Sequence, residues 1–426
     1  MDQVLGLECT ICSARYLVNE ITYVCPKHGD DGVVDVIYDY SLIREQISTS
    51  KLADNGDHSI WRYLPLLPVK ADAARQLSEG TILAHVGWTP LLPVPRLAAR
   101  LGLNRLWVKD EGRQPTASLK DRASAIAIVK TREMGLGMVT TASTGNAAAA
   151  LSGLCAAVSQ PNVIFVPRTA PQVKIAQLLV FGSTVLLVDG TYDDAFELCL
   201  KAASEFGWYN RSTGYNPYVS EGKKTAAYEI CEQLQWQAPD RIFVPVGDGC
   251  IIGGLYKGLR DMMALGWIDR MPRLMGVQAA GSAALSDAWE RGLKATEMHP
   301  IEAHTIADSI RAGLPRDRIK ALRAVRESDG AFIRVTDEEI VRAIPILARG
   351  CGIFAEPAAA AAYAGLEKAV DLGLVNHDER MVVLVTGSGL KDVATAIKSV
   401  AKPSVISADL AEVRRVLKQA GDSVVR

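Results

Sequence analysis

Residues 114–122 read Gln-Pro-Thr-Ala-Ser-Leu-Lys-Asp-Arg and place one lysine, Lys120, in a short polar turn. An alanine-rich stretch follows at residues 123–130 and predicts a helix. Desolvation and the positive end of that helix both disfavour a charged amine, so we expect the pKa of Lys120 to be lowered. A neutral lysine amine is what Schiff-base chemistry with an aldehyde requires. The alternative for a single lysine in this setting is a solvated side chain at a helix start.

Two other glycine-containing loops stand between predicted elements. Residues 247–254 read Gly-Asp-Gly-Cys-Ile-Ile-Gly-Gly and connect a predicted strand, residues 242–246, to a predicted helix, residues 255–263. Converging backbone N–H groups at a helix N-terminus form a cradle for phosphate. Residues 143–146, Ser-Thr-Gly-Asn, precede an alanine-rich helix at residues 147–157 and offer hydroxyl and backbone donors to a carboxylate. Each loop, taken alone, also fits an ordinary turn or helix cap.

Taken together, these segments resemble the pyridoxal-phosphate (PLP) enzymes of the tryptophan synthase β-like fold (fold type II), and within them the threonine synthase family. That family carries a similar Pro-Thr-Gly-Ser-Phe-Lys-Asp-Arg motif around its Schiff-base lysine. Here Ala117 replaces the glycine and Leu119 the phenylalanine, and neither change removes a functional group. The resemblance extends to Asp392 and implies an α/β fold in which two open parallel-sheet domains hold the cofactor between them.

The resemblance also implies a set of site residues. Lys120 is the expected catalytic residue, and Ser143 and Thr144 are expected to bind the substrate carboxylate. The expected cofactor-binding residues are Lys120, Asn146, Gly247, Asp248, Gly249, Cys250, Ile251 and Thr386. The Asn146 amide is assigned to the phenolic oxygen of the cofactor, the Thr386 hydroxyl to its ring nitrogen and only the backbone of Asp248 to its phosphate. Because a hydroxyl is too weak an acid to keep that nitrogen protonated, chemistry at Cβ and Cγ is favoured over transamination.

The implied reaction is that of a carbon–oxygen lyase acting on phosphate, which converts O-phosphohomoserine and water to threonine and phosphate. One position departs from the family pattern Asn-Pro-x-Arg-x-Glu-Gly-x-Lys-Thr, which matches residues 216–225: Val219 replaces the arginine that helps to hold the substrate phosphate. A neutral side chain cannot bind a dianion. Either the leaving group is not phosphate, or another cation compensates, and the candidates are Arg211, Lys223, Lys224 and Arg311.

Two alternative functions follow from these observations. Val219 favours a related PLP enzyme, either a β-replacing synthase or an ammonia-lyase acting on a serine- or threonine-like amino acid. The more distant alternative is a non-catalytic zinc-ribbon protein whose α/β part serves as a binding partner. A substrate panel separates the first alternative from threonine synthesis, and the presence of PLP in the purified protein argues against the second.

The first 45 residues predict a small zinc-ribbon-like module. Cys9, Cys12, Cys25 and His28 form the pattern C-x2-C-x12-C-x2-H, which is typical of a structural zinc site. Because protein groups fill all four positions, a catalytic zinc ion is not expected. The alternative is a ribbon that keeps its shape without metal. No metal-ligand spacing is found for the remaining histidines, His58, His85, His299, His304 and His377.

Beyond the ribbon, short apolar runs alternate with longer helical stretches and predict parallel sheets covered by helices. The clearest runs are residues 105–108, 163–166, 184–188, 241–244 and 381–385. The predicted organisation is a large PLP-binding domain formed by residues 46–135 and 226–426, and a small mobile domain formed by residues 136–225. Residues 48–67 are polar with a proline near the end and predict an irregular connection.

The composition narrows the class of protein further. The 426 residues are 49% hydrophobic and carry a net charge of −1, so no basic field favours nucleic acid or an anionic membrane as partner. No signal sequence and no apolar stretch of about 20 residues is visible. Four of the eight cysteines are scattered singly, which suits a reducing cytoplasm. The expected partners are a small-molecule amino-acid substrate and, from the resemblance, a second copy in a homodimer.

Overall fold

The computed structural model describes residues 2–420, so the predicted domains at both chain ends extend into residues outside this range. The described part contains three β-sheets, and two of them consist of parallel strands apart from one edge strand. Its strands are β1 (Val4–Cys9), β2 (Arg15–Tyr16), β3 (Val34–Tyr38), β4 (Leu91–Pro93), β5 (Arg105–Asp110), β6 (Val139–Ala142), β7 (Asn162–Pro167), β8 (Thr184–Val188), β9 (Tyr209–Asn210), β10 (Arg241–Pro245), β11 (Arg273–Ala279), β12 (Ala331–Val335) and β13 (Arg380–Val385).

Helices cover the two parallel sheets. The α-helices are α1 (Tyr40–Gln46), α2 (Thr49–Ala53), α3 (Ala71–Ser78), α4 (Pro95–Arg100), α5 (Lys120–Glu133), α6 (Asn146–Ala157), α7 (Gln172–Val180), α8 (Tyr192–Phe206), α9 (Tyr218–Lys223), α10 (Thr225–Gln233), α11 (Cys250–Leu265), α12 (Ala284–Glu290), α13 (Arg318–Glu327), α14 (Asp337–Cys351), α15 (Pro357–Asp371), α16 (Val393–Lys398) and α17 (Leu410–Ala420). Within the described range, none of these helices is both long and apolar enough to span a bilayer.

The large sheet has the strand order β12-β11-β10-β13-β5-β4, with only β4 antiparallel to its neighbour. The small sheet has the order β8-β7-β6-β9, and all its pairings are parallel. Strands buried on both faces need apolar side chains throughout, and in β13 every residue from Met381 to Val385 is buried. The predicted α/β fold with two open parallel sheets is confirmed.

Helix α15 shows why alanine-rich segments lie at the centre of the molecule. Residues 358–362 are five consecutive alanines, and all five are buried beside the large sheet. A β-carbon added at Gly365 would lie only 2.3 Å from Val277 Cγ2, so the helix axis runs very close to β11. Small side chains permit this close approach, which leaves little unfilled volume in the core.

The N-terminal module is a three-stranded antiparallel sheet, with β1 between β2 and β3. Its contacts hold it on the rest of the chain. The Asp35 carboxylate pairs with Lys320 at 3.0 Å and with Arg323 at 2.5 Å, both on α13. The Tyr23 ring packs edge-on against Tyr209 of the small sheet, with ring centroids 5.9 Å apart. The module therefore contacts both larger parts of the chain.

The connection over residues 48–67 is more regular than its polar sequence indicates. Helix α2 begins after Ser48, whose side chain accepts a hydrogen bond from the Lys51 backbone, and a 3-10 helix covers Ile60–Leu66. Trp61 is buried and donates from Nε1 to the Leu83 carbonyl at 2.8 Å. The prediction of an irregular connection was wrong because tertiary burial of aromatic residues orders this segment despite its proline.

Candidate active site

Lys120 is the first residue of α5, and its turn is tied to the end of the large sheet. Leu119 donates its backbone N–H to the Thr386 carbonyl at 3.0 Å, and Ser118 forms a β-bridge with Gly387. The loop after β13 therefore lies directly beside the lysine turn. The structure brings Lys120 and Thr386 together although 265 residues separate them in the sequence.

The Lys120 amine has no hydrogen-bond partner within residues 2–420. Burial lowers its pKa, and Arg211 lowers it further, while Cys250, Asp248 and Glu356 act in the opposite direction. Close by in the sequence, Ser118 is fully buried and its hydroxyl also lacks a partner in the described structure. An amine with lowered pKa and an unpaired buried hydroxyl fit a polar ligand that both groups contact.

The loop between β6 and α6 presents the predicted carboxylate site. Ser143 and Thr144 are half-buried at the carboxyl end of β6, and the Ser143 hydroxyl accepts the Gly145 N–H at 3.2 Å. Asn146 begins α6, so the free N–H groups of the first helical turn lie at this loop. These hydroxyl and backbone donors are suited to a carboxylate.

The loop after β10 is a cradle of backbone donors. Gly249 has φ 89°, a conformation that disfavours other residues, and it precedes the first turn of α11 at Cys250 and Ile251. The Asp248 carboxylate accepts the Arg316 N–H at 3.3 Å. That side chain is therefore directed at the 316 backbone, and burial raises its pKa. Gly247 packs on Ile310, where a β-carbon would lie 2.8 Å from Cα.

Glu356 joins two of these segments, the 143–146 loop and the loop after β13, and sequence reasoning missed it. Asn146 Nδ2 donates to both carboxylate oxygens of Glu356, at 2.8 and 3.0 Å. The Glu356 backbone N–H donates to the Gly387 carbonyl at 3.1 Å. Burial raises the pKa of Glu356. The available signal was its position directly before Pro357, at the N-terminus of an alanine-rich helix.

The four cations considered as replacements for the arginine absent at Val219 differ in their surroundings. Lys224 is buried but paired with Glu221 at 2.6 Å and with Asp261 at 2.8 Å. Arg311 is half-exposed and paired with the Asp308 carboxylate at 2.9 Å. The remaining two cations, Arg211 and Lys223, are fully buried, and each keeps one nitrogen without a partner in residues 2–420.

The four predicted zinc ligands lie together in the N-terminal module. One ligand atom from each of Cys9, Cys12, Cys25 and His28 lies within 4.8 Å of all the others. Cys9 and Cys25 are buried, whereas Cys12 is exposed. Three thiols and one imidazole form a donor set that zinc accepts with tetrahedral geometry. The cluster has no metal-binding counterpart elsewhere among the described residues.

Comparison with known proteins gives this geometry its context. A sequence model of the family "pyridoxal-phosphate dependent enzyme" matches residues 82–387. The threonine synthase of Methanocaldococcus jannaschii is 38% identical over 414 residues, covering 96% of this chain and 99% of the relative. The threonine synthase of Methanosarcina acetivorans is 40% identical over 414 residues, with coverages of 96% and 98%.

A solved structure supports the fold. Diaminopropionate ammonia lyase from Escherichia coli, in complex with an aminoacrylate-PLP azomethine reaction intermediate, aligns with a TM-score of 0.64 and 21% identity. The alignment covers 81% of this chain and 94% of the lyase chain. At this identity the likeness concerns the fold alone. The family match and the full-length relatives go further: the chain belongs to the pyridoxal-phosphate dependent enzymes and, within them, to the threonine synthase family.

Proposed function

We propose that this PLP-dependent lyase converts O-phosphohomoserine and water to threonine and phosphate. The observation that carries the proposal is the convergence of the Lys120 turn, the 143–146 loop, the 247–251 loop and Thr386, in a chain with threonine synthase relatives along nearly its full length. Val219 leaves the substrate phosphate without the arginine that the family has at this position. Two other buried cations, Arg211 and Lys223, lie near Lys120 and can bind that phosphate instead.

The residues present fit the cofactor. Ser118 offers a buried hydroxyl and Lys120 an amine that both lack a hydrogen-bond partner among the described residues. Backbone groups of Gly247, Asp248, Gly249, Cys250 and Ile251 form the cradle in which the cofactor phosphate would lie. Asn146 is proposed for the phenolic oxygen and Thr386 for the ring nitrogen. When bound, PLP supplies an electron sink for the negative charge that develops at the substrate Cα.

The chain's own groups then perform the proton transfers. Its lowered pKa favours a neutral Lys120 amine, which can accept the proton from Cα and move protons at Cβ. Ser143 and Thr144 are proposed to hold the substrate carboxylate, so that the reacting carbons face Lys120. Cβ loses one proton to the Lys120 amine as the Cγ–O bond breaks and phosphate leaves. Cγ then gains one proton and water supplies the hydroxyl at Cβ, while the remaining proton goes to the released phosphate, giving threonine.

The proposed domains follow the sheets. The small sheet, β6 to β9, lies within residues 136–225, which we propose as the small mobile domain. The strands of the large sheet come from residues 46–135 and 226–426, the proposed PLP-binding domain. Two partly exposed ion pairs join the two parts, Lys174 with Asp308 at 2.7 Å and Arg316 with Asp193 at 3.3 Å. Closure of the small domain on substrate would exclude bulk water.

Three finer assignments belong to the same proposal. We propose that Cys9, Cys12, Cys25 and His28 hold a structural Zn²⁺ ion, on the strength of their donor set. A cytoplasmic location is supported by the eight cysteines, all of which are free. A homodimer rests on the family resemblance, and light scattering of the purified protein measures it.

The test of the reaction is phosphate release and threonine formation from O-phosphohomoserine by the purified, PLP-loaded protein. We expect both products in equal amounts. The Lys120→Ala variant should lose the visible absorbance of the lysine-bound cofactor and at least about 10²–10⁴-fold of turnover. Exposed Lys294 provides the matched control, Lys294→Ala, with unchanged turnover. No product from an enzyme that binds PLP normally would contradict the assigned substrate.

A further inference from the structure

Two buried cations near Lys120 form no ion pair with any carboxylate in residues 2–420. Arg211 and Lys223 are both fully buried, and the Arg211 Nη2 and Lys223 Nζ atoms lack hydrogen-bond partners in residues 2–420. We propose that Arg211 and Lys223 form a binding site for a phosphate dianion, and we assign it to the phosphate of the substrate. The assignment to the substrate rests on the function proposed above, whereas the anion site itself does not.

The burial of Arg211 and Lys223 indicates that a compensating negative charge binds beside them. Taking a charged group out of water costs free energy unless an opposite charge or hydrogen bonds compensate for it. Within the described structure, no carboxylate forms an ion pair with either side chain, although the neighbouring Lys224 has two such partners. A bound anion provides the missing compensation, and phosphate offers several acceptor oxygens to a guanidinium and an ammonium group.

The position of Arg211 is fixed by three hydrogen bonds. It directly follows β9, and its backbone N–H donates to the Thr140 carbonyl of β6 at 2.8 Å. Its side chain donates from Nε to Ser124 Oγ at 3.2 Å and from Nη1 to Thr213 Oγ1 at 3.0 Å. Ser124 is four residues after Lys120 on α5, and residues four apart share a helix face. The guanidinium is thus held over the Lys120 face of α5.

Lys223 lies on α9, four residues after Val219. Both positions therefore share one face of the helix, one turn apart. A β-carbon added at Gly254 would lie 3.0 Å from Lys223 Cβ, so the lysine stem packs on the N-terminal part of α11. The cation that the family places at position 219 is absent here, and the charge is restored one turn further along.

The cations influence one another's pKa values. Burial lowers the pKa of Lys223 to about 8, with Lys120 and Arg211 lowering it and Cys250 and Asp317 raising it. Burial also lowers the pKa of Arg211 to about 10. Mutual repulsion of three cations beside the positive end of α11 favours binding of a dianion.

The position of Arg211 favours binding of the substrate's phosphate over that of the cofactor. Arg211 follows β9, the direct neighbour of β6, and β6 leads into the loop of Ser143 and Thr144 proposed for the substrate carboxylate. The cofactor phosphate already has the backbone donors of the 247–251 loop. Arg211 therefore lies on the same small sheet as the groups proposed to bind the amino acid.

The experiment uses the PLP-loaded enzyme with inorganic phosphate as the probe. Arg211→Gln and Lys223→Gln are compared with Arg270→Gln, a matched control whose charge pairs with Asp240 at the opposite end of β10. Phosphate affinity is measured from ligand-induced thermal stabilisation, and PLP affinity from visible absorbance. We expect each site variant to weaken phosphate binding at least about tenfold and to raise the KM for O-phosphohomoserine, with PLP affinity unchanged.

Two results would overturn the proposal. Unchanged phosphate affinity in both site variants would remove the anion site. Reduced PLP affinity with unchanged affinity for added phosphate would show that the two cations bind the phosphate of the cofactor and not that of the substrate. Lys223→Arg keeps the charge and should retain phosphate binding, which separates loss of charge from misfolding. If phosphate binding requires both cations but no threonine forms, the anion site stands and the reaction proposed above fails.

Discussion

Ala117, three residues before Lys120, has a left-handed backbone conformation with φ 62°. Its N–H donates to the Gln114 carbonyl at 2.8 Å and its carbonyl accepts from Ser388 at 3.1 Å, so the turn holds the residue in place. For a residue with a β-carbon this conformation costs about 1–2 kcal/mol, which explains why a glycine is common at this position in the resembling motif.

Ala117→Gly should therefore stabilise the protein. Relief of the left-handed strain exceeds the added entropy of the unfolded glycine, so the free energy of unfolding should rise by up to about 1 kcal/mol. Thermal denaturation measures the change. Ala73→Gly, inside helix α3, is the control and should lower the stability by about 1 kcal/mol. Destabilisation by Ala117→Gly would show that the turn does not strain this residue.

Lys223 predicts a pH dependence of phosphate binding. Its pKa of about 8 lies below the ordinary value of 10.5, so it loses its proton, and its attraction for a dianion, as pH rises through about 8. A phosphate ester is a dianion only above its second pKa, about 6. The KM for O-phosphohomoserine should therefore be lowest between about pH 6 and 8.

KM is measured by steady-state kinetics from about pH 5 to about pH 10, at intervals of about half a pH unit. The groups that face Lys223 are Lys120, Arg211, Cys250 and Asp317. Lys223→Arg should abolish the rise of KM on the alkaline side, because a guanidinium stays charged there. An alkaline rise that persists in Lys223→Arg would assign the titration to another group.

At this scale the sequence identified the residue types but not their partners. It grouped Arg211, Lys223, Lys224 and Arg311 as equal candidates, because their surroundings depend on contacts distant in the chain. Lys224 is paired with Asp261, 37 residues away in the sequence. Glu356 was missed for the same reason, since its partner Asn146, at the start of α6, lies 210 residues away in the sequence. The roles proposed for the site residues stay predictions.

At the scale of elements, helix α5 is fixed by a buried ion network. Arg122, in the first turn of the helix, donates to Glu111 at 2.7 Å and to Glu229 at 2.5 Å, and Lys109 donates to Glu229 at 2.7 Å. All four side chains are fully buried. The network joins α5 to β5 and α10, and thereby sets the position of Lys120 at the start of the helix.

Glu229→Gln should strongly destabilise the protein. Removing one carboxylate leaves Arg122 and Lys109 with incomplete compensation, a change that typically costs about 3–5 kcal/mol. Chemical denaturation measures the loss. Asp329→Asn breaks the exposed pair with Arg273 and should change stability by less than about 1 kcal/mol. Equal effects of the two substitutions would show that the buried network does not stabilise α5.

The elements themselves were largely visible in the sequence. The run at residues 184–188 is β8 without change, and the run at 381–385 lacks only the first residue of β13. β13 is buried on both faces and needs uniform apolar character, which makes its run easy to recognise. β8 has a similar apolar run although its residues are exposed or half-buried. The segment 48–67 was misassigned, because its short helices depend on serine caps and on burial against other parts of the chain.

On the scale of the whole molecule, the N-terminal module is linked to the site. Tyr23 lies two residues before Cys25, and its hydroxyl accepts the backbone N–H of Asn210 at 2.9 Å. Asn210 directly precedes Arg211, one of the two cations proposed to bind phosphate. The sequence predicted the module from its ligand spacing but not this contact, which is formed across 187 residues. We therefore expect order at the predicted zinc ligands to stabilise the end of β9.

Loss of the metal should therefore weaken phosphate binding as well as the module. We expect one Zn²⁺ ion per chain by elemental analysis. Cys12→Ser should lower zinc affinity more than about 100-fold, because losing a direct ligand costs more affinity than losing a group that only hydrogen-bonds to a ligand. Cys12 is exposed, so the substitution disturbs little packing. Cys351→Ser, a thiol outside the cluster, is the control and should retain zinc.

Zinc-free Cys12→Ser protein should also bind inorganic phosphate more weakly than the control, because Tyr23 no longer holds Asn210 and Arg211 in place. A metal-free protein with unchanged stability and phosphate affinity would instead show that the ribbon keeps its shape without zinc.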